Sequence, residues 1–176
     1  MDRFLEQVVR KHKRTLNEAA YYVSMVLMVL LGLLALLNIN VLLAQFSIAG
    51  LIETVLTAGL AALLFFYRDR LRTEFEYSYT NGDLDFAMVL NNQKRKNLGT
   101  LKIKGVDAFG KVNSQAFKRY VNMKDVKTDN WFLNREAELY FCYFQKESAK
   151  RLIIFEPNED MVAMIKSGLN GGAWVE

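Results

Sequence analysis

Hydrophobic and polar positions change rhythm twice along this chain. From Ala19 the sequence runs AAYYVSMVLMVLLGLLALL to Leu37, passes through Asn38-Ile39-Asn40, and continues VLLAQFSIAGLIETVLTAGLAALLFFY to Tyr67. A membrane-crossing helix needs about 20 apolar residues at ~1.5 Å rise each, and both runs satisfy that length. The pattern predicts a two-span hairpin over 19–67, turning at Asn38–Asn40. Glu53 is the single charge in that stretch. A cleaved leader does not fit, because the basic segment before the first run is long, no small-residue cleavage site follows, and a second span comes directly after.

Beyond Arg72 the period falls to two. Phe75, Tyr77 and Tyr79 alternate with Glu74, Glu76 and Ser78, as in a half-buried strand. Asn81-Gly82 then predicts a tight hairpin, with Leu84 to Leu90 as the return strand. Asn91 to Asn97 is a polar, basic loop by composition. Further strands are predicted at Leu101–Ile103, Val106–Val112, Arg135–Gln145 and Arg151–Phe155, with Lys146–Lys150 as a hairpin turn. In the stretch 113–130, Ala116-Phe117 and Tyr120-Val121 suggest a helical turn or two on a covering loop.

Asn158 caps a predicted C-terminal helix over 158–169, with Glu159 and Asp160 at its positive end and Met161, Val162, Ile165 and Leu169 on its apolar face. The fold class is therefore an α+β membrane protein. A transmembrane helical hairpin precedes a small antiparallel β domain, 73–176, of six or seven strands with a C-terminal helix.

Charge adds orientation. Arg10, Lys11, Lys13 and Arg14 precede the first span, Arg68, Arg70 and Arg72 follow the second, and the connection carries no cation. The positive-inside rule then predicts a multi-pass protein of the inner (plasma) membrane with both termini cytoplasmic. Residues 1–18 form a basic amphipathic segment. Phe4, Leu5, Val8, Val9 and Leu16 fall near one face of a helix, which predicts a helix lying in the headgroup layer.

Candidate chemistry is sparse. One His, one Cys and one Pro leave little room for a disulfide scaffold, a Cys/His zinc site or a Ser-His-Asp triad. His12 lies in the N-terminal segment and reads as solvated or interfacial. Asp83 and Asp85 flank the hairpin turn and lack further ligands for a metal. Glu156, Glu159 and Asp160 read as a helix start, and Cys142 as a buried apolar residue in a strand. No catalytic residue, metal or cofactor is assigned.

Glu53 admits two readings: an intramembrane functional acid, or a carboxyl near the outer interface that snorkels or is protonated. Gly50, Ala58, Gly59, Ala61 and Ala62 suit close helix packing, within the hairpin or between copies. In residues 68–176, 18 Lys/Arg stand against 15 Asp/Glu. Besides Lys118-Arg119 in a later loop, the cations that group are Arg68, Arg70 and Arg72 at the membrane exit and Lys94, Arg95 and Lys96 in the basic loop. These six are candidate contacts to lipid headgroups of an anionic inner leaflet, each contributing about 1 kcal/mol near the surface. No contiguous basic-aromatic surface suggests nucleic acid.

The segments EFEYSYTNGDLDF (74–86), NQKRKNL (92–98) and RLIIFEPNEDMVAMIK (151–166) resemble an uncharacterised family of bacterial membrane proteins. Its members have two spans and a cytosolic domain similar to bacterial pleckstrin-homology-like (PH-like) domains. The resemblance runs over 20–170 and is sharpest at the strand–TNGDLD–strand hairpin. It implies fold and membrane location, and no catalytic residue. The expectation is a non-catalytic, membrane-anchored interaction or scaffold protein with an unidentified protein partner. The alternatives are an anionic-lipid or membrane-stress sensor acting through the basic loops, and a membrane enzyme or transport subunit using Glu53. Oligomeric state is not legible.

Overall fold

The computed structural model describes residues 3–146 and 149–175. The chain divides into two compact units, one of residues up to 12, 74–89 and from 94 onward, the other of residues 13–73 and 90–93.

The second unit is built on two long helices, α1 (Thr15–Ala44) and α2 (Ile48–Tyr67). Both are long and apolar enough to cross a membrane, and only 6% of the most apolar stretch of each is buried, unlike the core helices of a water-soluble protein. The turn falls at Gln45–Ser47, seven residues later than the Asn38–Asn40 position that polarity suggested. Asn40 stays helical because its Nδ2 donates to the Leu36 carbonyl at 2.8 Å, satisfying the amide within its own helix. Ser47 instead begins α2: its backbone is extended, and its Oγ accepts from the Gly50 N–H at 3.1 Å.

The seam of the hairpin uses small and hydroxyl residues. Thr54 and Thr57 are buried, and their hydroxyls donate to the carbonyls of Gly50 (2.7 Å) and Glu53 (2.9 Å). Gly50 and Ala61 are half-buried, whereas Ala58, Gly59 and Ala62 are exposed, so only part of the small-residue set is used within the hairpin. A 3-10 turn, Arg68–Arg72, ends the unit's helical run.

The first unit is a pair of sheets closed by a helix. The four-stranded sheet has the order β1 (Phe4–Val9), β2 (Thr73–Thr80), β3 (Asp83–Leu90), β4 (Lys94–Lys102). The five-stranded sheet has the order β6 (Val126–Trp131), β8 (Ala149–Phe155), β7 (Tyr140–Lys146), β5 (Ala108–Lys111), β9 (Trp174–Val175). Two tight turns shape the first sheet. Asn81 (φ 50°) and Gly82 (φ 100°) make the predicted turn, and Asn91 (φ 51°) and Asn92 (φ 53°) make another of the same kind. Asparagine tolerates the left-handed region that such turns demand.

Strand 1 corrects the sequence reading of residues 1–18. Phe4 to Val9 is not a helix in the headgroup layer but a strand antiparallel to β2, in register from Phe4 opposite Thr80 to Val9 opposite Phe75. The apolar set 4, 5, 8, 9 fits a helix stripe, yet Leu5, Gln7 and Val9 also alternate inward. An unpaired edge on β2 favours the second reading, since each ladder bond satisfies a backbone group.

Strands β6 and β8, and β5 and β9, pair in parallel, and the described strands outnumber the six or seven anticipated. Residues 147 and 148 of the expected Lys146–Lys150 turn lie outside the described residues, though Lys146 and Ala149 stand opposite one another in the antiparallel β7–β8 pair.

Between the sheets Tyr77, Phe86 and Phe155 pack edge-to-face at 5.3–5.5 Å between ring centroids. Helix α4 (Glu159–Gly168), capped by Asn158 Oδ1 accepting from the Met161 N–H, adds Met161, Val162 and Ile165 to that core. The outer face of the second sheet is covered as well. Helix α3 (Gln115–Val121) lays Phe117 and Tyr120 against Phe141 and Tyr143, which explains the aromatic pairs of that stretch.

Candidate functional site

The three arginines at the membrane exit lie in the Arg68–Arg72 turn, in three different environments. Arg72 is drawn inward. Its guanidinium sits 3.7 Å from the Tyr21 ring centroid and 5.1 Å from that of Tyr22, pairs with Glu18, and donates to Asn91 Oδ1 at 3.3 Å. Asn91 completes the network: its Nδ2 donates to the Tyr21 hydroxyl and to Asp69 Oδ1, both at 3.2 Å, and its N–H donates to the Arg72 carbonyl at 2.8 Å. The β3–β4 turn thus belongs to a collar around the helix ends. Arg68 is half-buried over Phe65, with its Nε 3.8 Å from Asp69 Oδ1. Arg70 alone of the three is exposed, with its guanidinium 4.7 Å from the Tyr67 ring centroid.

Lys94, Arg95 and Lys96 were expected in a loop; they open strand β4. The turn closes earlier, at Asn91–Gln93, where Gln93 N–H reaches the Leu90 carbonyl at 3.1 Å. All three side chains are exposed, and Arg95 pairs with Glu76 at 3.0 Å. A second cation, Arg10, pairs with Glu74 at 3.0 Å. Such half-exposed pairs stabilise by only about 0–1 kcal/mol, so they fix direction more than stability.

Glu53 is exposed on α2, one turn before Thr57, whose hydroxyl donates to the Glu53 carbonyl.

Sequence reasoning missed the most connected polar cluster of the strand-rich unit. Glu156 is 8% exposed, and its carboxylate accepts from the Asn134 N–H (3.1 Å) and from Asn134 Nδ2 (2.8 and 3.2 Å). Asn134 Nδ2 also donates to the Arg10 carbonyl at 2.9 Å, and its Oδ1 accepts from the His12 N–H at 2.8 Å. His12 therefore belongs to this unit, with its Nε2 3.8 Å from Glu156 Oε1 and its side chain still mostly exposed to solvent. Tyr77 donates to the Trp131 carbonyl and accepts from the Glu156 N–H. The cluster clamps the segment that leaves β1. The only sequence signal was the acid at 156 one residue before Pro157, which a helix start also explains.

The chemistry of these groups is structural. Burial pushes the Tyr77 phenol well above its ordinary range, and burial alone does the same to the fully enclosed Cys142 thiol. Neither is ionised near neutral pH, so neither is an activated nucleophile.

Two sheets closed by a terminal helix, carrying two membrane-capable helices and surface cations, define a membrane-associated PH-like protein. The chain belongs to the bacterial PH-like domain family (DUF6106), which matches residues 1–171. The match includes both long helices and β1. No curated protein matches the chain. Membership in a PH-like family points to a non-catalytic domain.

Proposed function

We propose that this is a non-catalytic membrane-anchored interaction protein that holds its PH-like domain at the inner leaflet, with both termini cytoplasmic. The observation that carries the reading is connectivity. The helical hairpin is inserted between β1 and β2, which are paired neighbours with Val9 opposite Phe75. Helix α1 starts at Thr15 and the 3-10 turn ends at Arg72, so each arm of the hairpin runs within a few residues into an adjacent strand. The chain thus leaves the strand-rich unit at β1 and returns to it at β2, so a hairpin that anchors in a membrane carries that unit with it on two covalent connections.

Confinement beside a membrane raises the effective concentration of any co-anchored protein, so a modest surface suffices. β-Augmentation is the favoured mode of partner binding. The flank of α4 beside β1 is already taken: Arg3 Nη1 donates to Ser167 Oγ at 3.0 Å, and the Asn158 N–H donates to Gln7 Oε1 at 2.8 Å. That leaves the edge of β4 as the favoured strand, with β6 and the two-residue β9 as the edges of the other sheet.

A second reading makes the domain an anionic-lipid sensor, supported by exposed Arg70 and by the cations of β4 that begin just after the collar-bound turn. Photo-crosslinkers at Asn97 and Thr100 of the full chain in native membranes separate the two. The first reading expects a discrete protein adduct that disappears when the hairpin is removed. Lipid adducts alone would transfer the assignment to the second, and no adduct of either kind would refute both.

A further inference from the structure

A different part of the strand-rich unit carries a site independent of the anchoring reading. At the β2–β3 turn lies an open cavity of about 400 Å³, whose lining includes Arg3, Lys102 and Lys104, with Asp83 as its one acid among the described residues. Lys102 and Lys104 are exposed and, among the described residues, form no ion pair. Arg3 is held in place. Its N–H donates to Asn81 Oδ1 at 2.9 Å, its carbonyl accepts from the Asn81 N–H at 3.0 Å, and its Nη1 reaches Ser167 Oγ.

Tyr79 supplies the second, independent observation. It is 2% exposed and lines the cavity, yet its hydroxyl has no hydrogen-bond partner among the described residues. The oxygen itself is not enclosed, so the small exposed part of this side chain faces the open space of the cavity. The end of α4 keeps the approach to it open: a Cβ on Gly168 would come within 2.9 Å of the Tyr79 oxygen and 3.3 Å of Ile103 Cγ2. A glycine at that position is what lets the hydroxyl face space.

We infer that this cavity binds a phosphate monoester. Three cations against Asp83 leave a net charge of two, which matches the dianion of a monoester near neutral pH. Arg3 and Tyr79 donate to its oxygens, and Lys102 and Lys104 neutralise it. The monoester comes either from a soluble metabolite or from a lipid headgroup, which share this chemistry.

Equilibrium dialysis of radiolabelled inorganic phosphate against the full chain in phosphatidylcholine nanodiscs, at fixed ionic strength, tests the site. Saturable uptake with half-saturation at about 1 mM or tighter is expected. Lys102→Glu with Lys104→Glu should weaken it about tenfold or more, and the isosteric Tyr79→Phe several-fold, with thermal melting unchanged. Replacing part of the phosphatidylcholine with phosphatidic acid should suppress uptake if the source is the headgroup, and leave it unchanged if the source is soluble. No saturable uptake by the native chain would overturn the inference. So would an equal loss in the Lys94→Glu, Lys96→Glu control, which alters charge away from the cavity. Neither result touches the crosslinking assay at Asn97 and Thr100, so the two readings fail separately.

Discussion

Removing the amide of Asn134 is the sharpest perturbation of the clamp that joins β1 to the rest of its unit. Asn134→Ala deletes the bonds from Nδ2 to Glu156 and to the Arg10 carbonyl, together with the acceptor of the His12 N–H. The Glu156 carboxylate is left buried, with one backbone donor at 3.1 Å and an imidazole nitrogen at 3.8 Å. Hydrogen bonds to a charged group contribute about 1.5–3 kcal/mol and neutral ones about 1, so one charged and two neutral bonds together amount to about 4 kcal/mol. With a urea dependence of about 1.5 kcal/mol per molar, the unfolding midpoint falls by about 2.5 M. A chain in which residues 14–72 are replaced by a short glycine-serine linker gives the cleanest measurement, because it keeps β1 and removes the membrane hairpin. The His12 amide should also lose its hydrogen-exchange protection in the variant while the amides of β7 and β8 keep theirs. A midpoint shift below about 0.5 M with His12 still protected would refute the clamp.

Three further outcomes follow from the packing and the ionisation of buried groups. Gly110→Ala should detach β9, because the added Cβ would lie 2.3 Å from the Val175 carbonyl oxygen; in a Trp131→Phe background, Trp174 emission should shift to the red, and an unchanged spectrum would count against the pairing. Stability should decline as the pH rises above about 9–10. Tyr77 and Cys142 have raised native-state pKa values, so the unfolded chain releases protons there that the folded chain retains, and the stability present at neutral pH is lost going upward. A flat urea midpoint between pH 8 and about 11 would contradict that assignment. Cys142, at 0% exposure, should resist maleimide in the native chain and react after unfolding; rapid native labelling would mean that the strand opens readily.

The parts of this architecture written in local periodicity were readable in advance. The long apolar runs, the Asn81-Gly82 turn and the Asn158 cap each depend on a few consecutive residues, and so does the aromatic alternation of β2. What was not readable depends on residues far apart. Residues 4–9 carry both a helical and a strand pattern, and only the edge of β2, some seventy positions later, decides between them. The Asn134–Glu156 clamp likewise joins a loop, the end of β8 and the segment after β1, and no spacing rule connects the three.

The basic run 94–96 was legible as charge but misplaced as a loop, because Asn91-Asn92 turns the chain more tightly than its polarity implies. Arg72 looked equivalent to Arg68 and Arg70 in sequence. Its cation–π contact with Tyr21 and its bond to Asn91 separate it from the exposed cation Arg70. Tyr79 could be placed on the core face of β2, but its unpartnered hydroxyl depends on where α4 ends.

Side-selective labelling tests the central claim most directly. Single cysteines at Phe46, 71% exposed in the turn between α1 and α2, and at Lys96 on β4 can be introduced while the enclosed Cys142 remains unreactive. A membrane-impermeant maleimide applied to intact cells should label position 46 and spare position 96; everted vesicles should give the reverse. Labelling of position 96 from the outside would place the PH-like domain on the opposite face of the membrane and contradict the account.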